Sequence, residues 1–187
     1  MPYASSDGLQ IYYEIFGQGK PIFLTHGWGS DLTQNWVNTG WVEVLQSVRR
    51  VIAIDCRGHG QSDKPLDQKL YSYGIMARDI IHLMDHLKIA KADLFGYSMG
   101  AFMAVYLLGH KKERFSSMIL GGIGDETEKS KDATFIANAL RVKNPSQISN
   151  LVGRAYRTYV DLNPNNDLEA LALSALQMWP EGYPVQL

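Results

Sequence analysis

The chain has 187 residues, 45% of them hydrophobic, 20% charged and 11% aromatic, which excludes a disordered or fibrous protein and allows one domain, or one and a fraction, with a real core. Eighteen Lys and Arg against 19 Asp and Glu leave a formal charge of -1, with no basic stripe to neutralise phosphates, so nucleic acid is not an expected partner. The single cysteine, Cys56, can close no intrachain disulfide and build no Cys-based zinc site, which fits a reducing, cytoplasmic compartment.

Taken in order, strand-like and helix-like segments alternate, which predicts an α/β fold. Leu9–Phe16 (LQIYYEIF) is β-rich and closes on Gly17-Gln18-Gly19, and Pro21–Thr25 (PIFLT) is a short apolar run ending at His26-Gly27. Arg50–Ile54 (RVIAI), the stretch KADLF ending at Phe95, and Ser117–Leu120 (SMIL) repeat the theme. Continuous apolar runs are what strands covered on both faces require, so a parallel sheet is expected. Tyr73–Leu87 carries Met76, Ile80, Met84 and Leu87 at helical spacing, with Arg78, Asp79, Asp85 and His86 off that stripe, and reads as an amphipathic crossover helix. The longest apolar stretch, Met99 to Gly109, falls short of the roughly 18 residues that cross a bilayer and reads as a buried helix. No basic segment followed by an apolar run opens the sequence, so neither membrane nor secretion is expected. From Asp125 onward the strand-like runs stop. Asn144-Pro145-Ser146-Gln147 offers a helix cap, and Asn166 with Glu169 does the same ahead of Leu168, Leu171, Ala172, Ala175 and Leu176. The expected division is a strand-and-helix layer over 1–124 and a mostly helical region over 125–187.

Chemistry concentrates at Gly96-Tyr97-Ser98-Met99-Gly100. Because 17 of the 187 residues are glycine, the pattern G-x-S-x-G arises readily by chance, but here an apolar strand runs into it and a helix-forming stretch runs out. The glycines let the backbone turn sharply, setting the Ser98 hydroxyl at the carboxyl end of a strand and the amino end of a helix, where a nucleophile belongs. Acyl transfer also needs donors aimed at a developing oxyanion, and the loop His26-Gly27-Trp28-Gly29 after a neighbouring strand can supply them. The expected pair is the N–H of Met99 with that of Trp28 or an adjacent loop residue, the His26 imidazole being structural. In Asp55-Cys56-Arg57-Gly58-His59-Gly60-Gln61-Ser62, Asp55 and Arg57 are expected to hold a loop as paired charges and the glycines to permit its turns. His82 and His86 stand four apart on one helix, but with no intervening glutamate and no third ligand no metal site is expected. G-x-G-x-x-G and G-x-x-x-x-G-K-[ST] do not occur, so no nucleotide cofactor is expected. Trp28, Trp36, Trp41, Tyr156, Tyr159, Trp179 and Tyr183 are available to line an apolar acyl pocket.

HGWG at His26–Gly29, DCRGHGQS at Asp55–Ser62 and GYSMG at Gly96–Gly100, in that order, resemble the α/β-hydrolase family. The resemblance covers Leu9 to about Gly124, and beyond that it rests on position alone. It implies a mostly parallel sheet with helices on both faces and, after the sixth strand, a helical cap that roofs the active site and shapes a pocket for a small-molecule substrate. Members similar to epoxide hydrolases or haloalkane dehalogenases carry aspartate at the elbow. Serine there implies an acyl-enzyme formed from an ester or thioester, or less often C–C cleavage of an activated ketone or peracid chemistry.

Serine needs a base, and in this family the partners follow it in the order Ser, Asp or Glu, His. His26, His59, His82 and His86 precede the elbow, and His110 lies at the far end of the helix that starts there, roughly 15 Å along its axis and out of reach of Ser98. Asp125 is the local candidate for the acid. The resemblance therefore implies that the last strands and helices, with the histidine they present, are missing from these 187 residues. It also implies that the SMIL strand is an exposed edge, to be covered by a second chain or a missing segment. Two functions stay open: a serine hydrolase acting on a carboxylic ester, incomplete or inactive as this chain, and a non-catalytic protein that keeps the pocket for a small apolar ligand.

Overall fold

Three short strands whose side chains alternate between two apolar layers form the centre of the molecule. In the computed structural model, which describes residues 2–124 and 133–181, these are β3 (Pro21–Thr25), β4 (Arg50–Ile54) and β5 (Ala92–Tyr97). Ile22, Leu24, Val51, Ala53 and Phe95 enter one layer, and Phe23, Ile52, Ile54 and Leu94 the other. The parallel register of β3 on β4, with Ile22 beside Val51 and Phe23 beside Ile52, keeps each set on its own face. Asp125, Tyr183 and the side chain of Trp179 lie outside the described residues.

Two antiparallel strands, β1 (Tyr3–Ser6) and β2 (Leu9–Phe16), extend this centre on one side, and β6 (Phe115–Gly121) lies parallel to β5 on the other, in the order β1-β2-β4-β3-β5-β6. The sheet is thus mostly parallel, and the expectation of parallel strands fails for its first two. β1 has no apolar run to announce it; its partner is the adjacent β2, with Tyr3 opposite Tyr12. Among the described residues β6 is an edge strand, and half of the Ile119 surface is exposed (50%).

Helices cover both faces. On one side α1 (Trp41–Leu45) packs with Leu32 and Trp36; on the other lie α2 (Tyr73–His86) and α3 (Met99–His110). Met99 to Val105 of α3 are all buried because the helix sits between the sheet and α2. Beyond β6 the described residues form helices and turns: α4 (Thr134–Arg141), α5 (Leu151–Val160) and α6 (Leu168–Glu181). Ile136, Leu140, Leu171 and Met178 of this layer share one core with the α2–α3 face. No helix among the described residues is long and apolar enough to cross a membrane.

The caps fall later than the sequence suggests. Asn144 caps a single turn, Pro145–Gln147, while α5 starts behind Asn150, whose Oδ1 accepts from the Gly153 N–H at 2.8 Å. Asp167, not Asn166, caps α6, accepting from the N–H groups of Glu169 and Ala170 at 2.9 Å each. Asn166 is used elsewhere.

Asp55 and Arg57 do not pair with each other. Asp55 accepts from the N–H groups of Leu32 and Gln61, both at 2.8 Å, whereas the fully buried Arg57 reaches Asp79 of α2 through Nε at 2.8 Å and Nη2 at 2.5 Å. Asp79, expected on the outer side of its helix, is buried because of this pair, and it also accepts from Ser6 Oγ. His82 Nδ1 lies 2.7 Å from the same Ser6 hydroxyl. Breaking one side of a buried ion pair strands the other charge. Arg57→Met alone is expected to destabilise the fold by about 3–5 kcal/mol in urea titrations, and Arg57→Met with Asp79→Leu to recover most of that loss. Equal losses in the single and double variants would contradict the pairing.

Candidate active site

β5 reaches the end of the sheet at Tyr97, α3 begins at Met99, and one residue between them makes the corner. Ser98 has φ 49° and ψ -113°, a backbone shape that non-glycine residues rarely adopt. Neighbouring backbone holds it there. The Ser98 N–H donates to Gly121 O at 2.8 Å, the Gly100 N–H to His26 O at 3.2 Å, and Ser98 O accepts from the Ala101 N–H at 2.8 Å. The two glycines of the motif are needed for close approach. A Cβ on Gly96 would sit 2.3 Å from Gly100 O, and one on Gly100 would sit 2.3 Å from Thr25 O. The Ser98 hydroxyl makes no cap hydrogen bond; the side chain is half-buried and lines a cavity of about 390 Å³ with Gly27, Trp28, Tyr97, Ala155, Tyr156 and Tyr159.

The loop after β3 passes directly against this corner. A Cβ on Gly27 would meet Ser98 Cβ at 3.4 Å. The Ser30 N–H donates to Gly27 O at 3.2 Å, closing a turn in which Gly29 takes φ 73°, a value glycine adopts without strain. Gly27 donates its own N–H to Asn35 Oδ1 at 3.0 Å, which commits that amide to the loop. The Met99 N–H belongs to the first turn of α3, where helix donors have no partner within the helix and the dipole favours negative charge.

Below the loop, His26 is fully buried and both ring nitrogens meet backbone. Its Nε2 accepts from the Cys56 N–H at 3.0 Å and its Nδ1 lies 2.8 Å from Gly27 O, so the ring is neutral with its proton on Nδ1. His59 packs edge-on against it at 5.2 Å between ring centres. Burial holds His26 below its ordinary range and, with the neighbouring His26, pushes His59 down to about 3. The other three imidazoles are also placed away from Ser98: His82 at Ser6, His86 against Tyr13, and His110 on Tyr106, whose carbonyl its Nδ1 meets at 2.8 Å.

Above the loop lies the helical layer, and here the structure brings in Ser174, Asn163 and Asn166, which the sequence did not single out for a role in the site. Trp28 Nε1 donates to Ser174 Oγ of α6 at 2.9 Å, and the indole packs edge-on against Tyr156 of α5. Asn163 Nδ2 donates to Asp31 Oδ2 at 2.8 Å, and Asn166 Nδ2 to Gly29 O at 2.9 Å. A second cavity of about 520 Å³, with Trp36, Trp41, Phe95 and Gly121 in its wall, adjoins the first across Tyr97 and Tyr159. Trp36 Nε1 and Gln34 Oε1 at that cavity are buried without a partner among the described residues. No group of three or more His, Cys, Asp or Glu among the described residues is placed to hold a metal ion.

Comparison with known proteins places this geometry in context. The family described as the alpha/beta hydrolase fold matches residues 20–181. The chain is 36% identical over 137 residues to the dihydrolipoyllysine-residue acetyltransferase component of the acetoin cleaving system of Pseudomonas putida, which covers 71% of this chain and 36% of that protein. It is 26% identical over 183 residues to 3-oxoadipate enol-lactonase 2 of Acinetobacter baylyi, covering 96% of this chain and 66% of that protein. The crystal structure of the enol-lactonase from Burkholderia xenovorans superposes with a TM-score of 0.76 at 25% identity, over 97% of this chain and 74% of that one. The chain spans from 36% to 42% of the length of several curated relatives it matches.

Two outcomes follow from the corner and from the histidines beneath it. Ser98→Gly and Ser98→Ala both remove the hydroxyl, but only glycine relieves φ 49°. The glycine variant is expected to be the more stable by about 1 kcal/mol in urea titrations, and an alanine variant of equal or greater stability would contradict the strain. For the histidines, the unfolded protein takes up their protons near pH 6.5, whereas folded His59 takes up its proton only near pH 3. More protons bound when unfolded means that stability falls as pH drops through that window, by up to about 1.4 kcal/mol per pH unit for each histidine. His59→Asn is expected to flatten the curve of urea midpoint against pH between about 6.5 and 4; an unchanged slope would contradict the assignment.

Proposed function

The chain belongs to the α/β-hydrolase family, and from that premise we propose that Ser98 is the nucleophile of a serine hydrolase acting on carboxylic esters through an acyl-enzyme. The observation that carries this reading is the strained corner itself. A serine held at φ 49° at a helix N-terminus and lining a cavity has the geometry acyl transfer needs. In the first half-reaction a base takes the Oγ proton as Oγ bonds to the acyl carbon, and the ester C–O bond breaks with the proton passing to the leaving alcohol. Water repeats the sequence on the acyl-enzyme. The N–H groups of Met99 and Trp28 hold the oxyanion; the Gly27 N–H, donated to Asn35, does not. Gly27 and Gly29 shape the loop, and His26 fixes it from beneath.

In this reading the base is a histidine from outside these 187 residues, and the partners that His26, His59, His82, His86 and His110 have away from Ser98 support it. Asp125, shortly after β6, is the chain's own candidate for the acid that orients it. The second cavity, the orphaned Trp36 and Gln34 atoms and the half-exposed Ile119 support a covering segment or second chain at the β6 edge. Residues 125–187 act as the cap. Trp28, Tyr97, Tyr156 and Tyr159 favour an apolar acyl group, and the enol-lactonase relatives bring cyclic esters within the substrate class. The buried Cys56, its thiol pushed up by burial, suits a cytoplasmic home. The rival reading, a protein that binds a small apolar ligand in the same cavity without turnover, draws on the same placement of the histidines.

A fluorophosphonate probe separates the two. In the whole protein it is expected to label wild type at Ser98 and to leave Ser98→Ala unlabelled, with the 187 residues alone reacting on the order of 10⁴ to 10⁶-fold more slowly. Labelling that persists in Ser98→Ala, or a whole protein that binds small esters and never labels, would overturn the hydrolase reading.

A further inference from the structure

The loop that carries the Trp28 amide is held from both sides, and the upper hold comes from the helical layer, Tyr156 to Ser174. Trp28 is bonded to Ser174 and Asp31 to Asn163, while the space a side chain on Gly29 would need is filled by Val160 and Tyr159, at 2.8 and 3.2 Å from an ideal Cβ. Asn166 ties the loop to α5 through a single nitrogen. Its Nδ2 donates to Gly29 O and to Val160 O, each at 2.9 Å, the first on the loop and the second at the end of α5. Both partners are carbonyl oxygens, so only the amide nitrogen can face them, and the carboxamide has one permitted orientation. Its Oδ1 is buried without a partner among the described residues. That unmet group is an expense a helix cap at this position would not incur, since Asp167 already caps α6.

We propose that Asn166 is a positioning residue: by binding Gly29 and Val160 together it makes the helical layer set the placement of the Trp28 amide opposite Ser98. This rests on the reading of that amide as an oxyanion donor. Its consequence is that the layer cannot lift from the loop as an independent lid, because withdrawing α5 pulls on the Gly29 carbonyl and turns the Gly27–Ser30 turn with it. Roof and amide cradle are then one mechanical unit, and substrate enters past Tyr97 and Tyr159, where the two cavities meet, and not beneath a lifting roof.

Asn166→Asp keeps the shape and sets a carboxylate oxygen against two carbonyls, while Asn165→Asp puts the same charge on the exposed neighbour and serves as control. In the whole protein, Asn166→Asp is expected to speed amide hydrogen exchange over residues 26–32 at least tenfold with 50–55 unchanged. It is also expected to lower kcat on a small ester about 10 to 100-fold with KM within about twofold, because an amide misplaced by an ångström weakens the transition state more than the ground state. Asn165→Asp is expected to change neither. Unchanged exchange over 26–32, or faster exchange with kcat intact, would overturn the proposal. Wild-type protein without Ser98-dependent turnover would instead overturn the hydrolase reading, and exchange alone would then decide whether Asn166 couples loop to helices.

Discussion

The first turn of α3 lies against the ends of β3 and β5 at a spacing that admits no side chain, and the rest of the site depends on that contact. Gly100 meets the Thr25 carbonyl and Gly96 meets Gly100 O, each so closely that one methyl group would push the elements apart. With the helix drawn in this far, the backbone between β5 and α3 has a single residue in which to reverse direction, and Ser98 takes up a left-handed φ to do it. The strain is sustained by ordinary packing: β3, β4 and β5 are apolar on both faces, and α3 is buried almost all round. A corner of this kind on an exposed edge would relax.

The same approach brings the loop after β3 beside the serine. The Gly100 N–H donates to the His26 carbonyl, and a Cβ on Gly27 would meet Ser98 Cβ at 3.4 Å, so the helix that begins beside Ser98 also registers the loop after β3. From beneath, Cys56, Asn35 and Asp55 fix the loop; from above, Ser174, Asn163 and Asn166 do. Electrostatic stabilisation of a developing oxyanion works best when its donors need not reorganise, and a loop bonded on both sides supplies the rigidity that the proposed role asks for.

How far the sequence disclosed this depended on the range over which each residue acts. β3 and β4 were legible to the residue because short apolar runs between glycine and charged punctuation leave little freedom, and β2 because its β-rich stretch closes on Gly17. The corner at Ser98 was legible because its glycines are local to it. Arg57 was not: two residues from Asp55 it invites a local pair, yet the path of the backbone beyond β4 sends it beneath α2 to Asp79. Asn166 was read as a helix cap, since a small amide before a helical stripe has a strong local use, and only the fold brings it to Gly29 across 137 residues. β1, four residues long without an apolar run, is defined by its pairing with β2 and by nothing in its own composition.

The central claim is that Ser98 and the amides of Met99 and Trp28 face one reacting centre. The most direct measurement is a crystal structure of the whole protein after reaction with a phosphonate ester. The account requires a covalent bond from Ser98 Oγ to phosphorus, with the phosphoryl oxygen about 2.7–3.1 Å from both amide nitrogens. An adduct whose oxygen turns away from those amides, or a Ser98 relaxed to negative φ with its hydroxyl bonded into the protein, would contradict it.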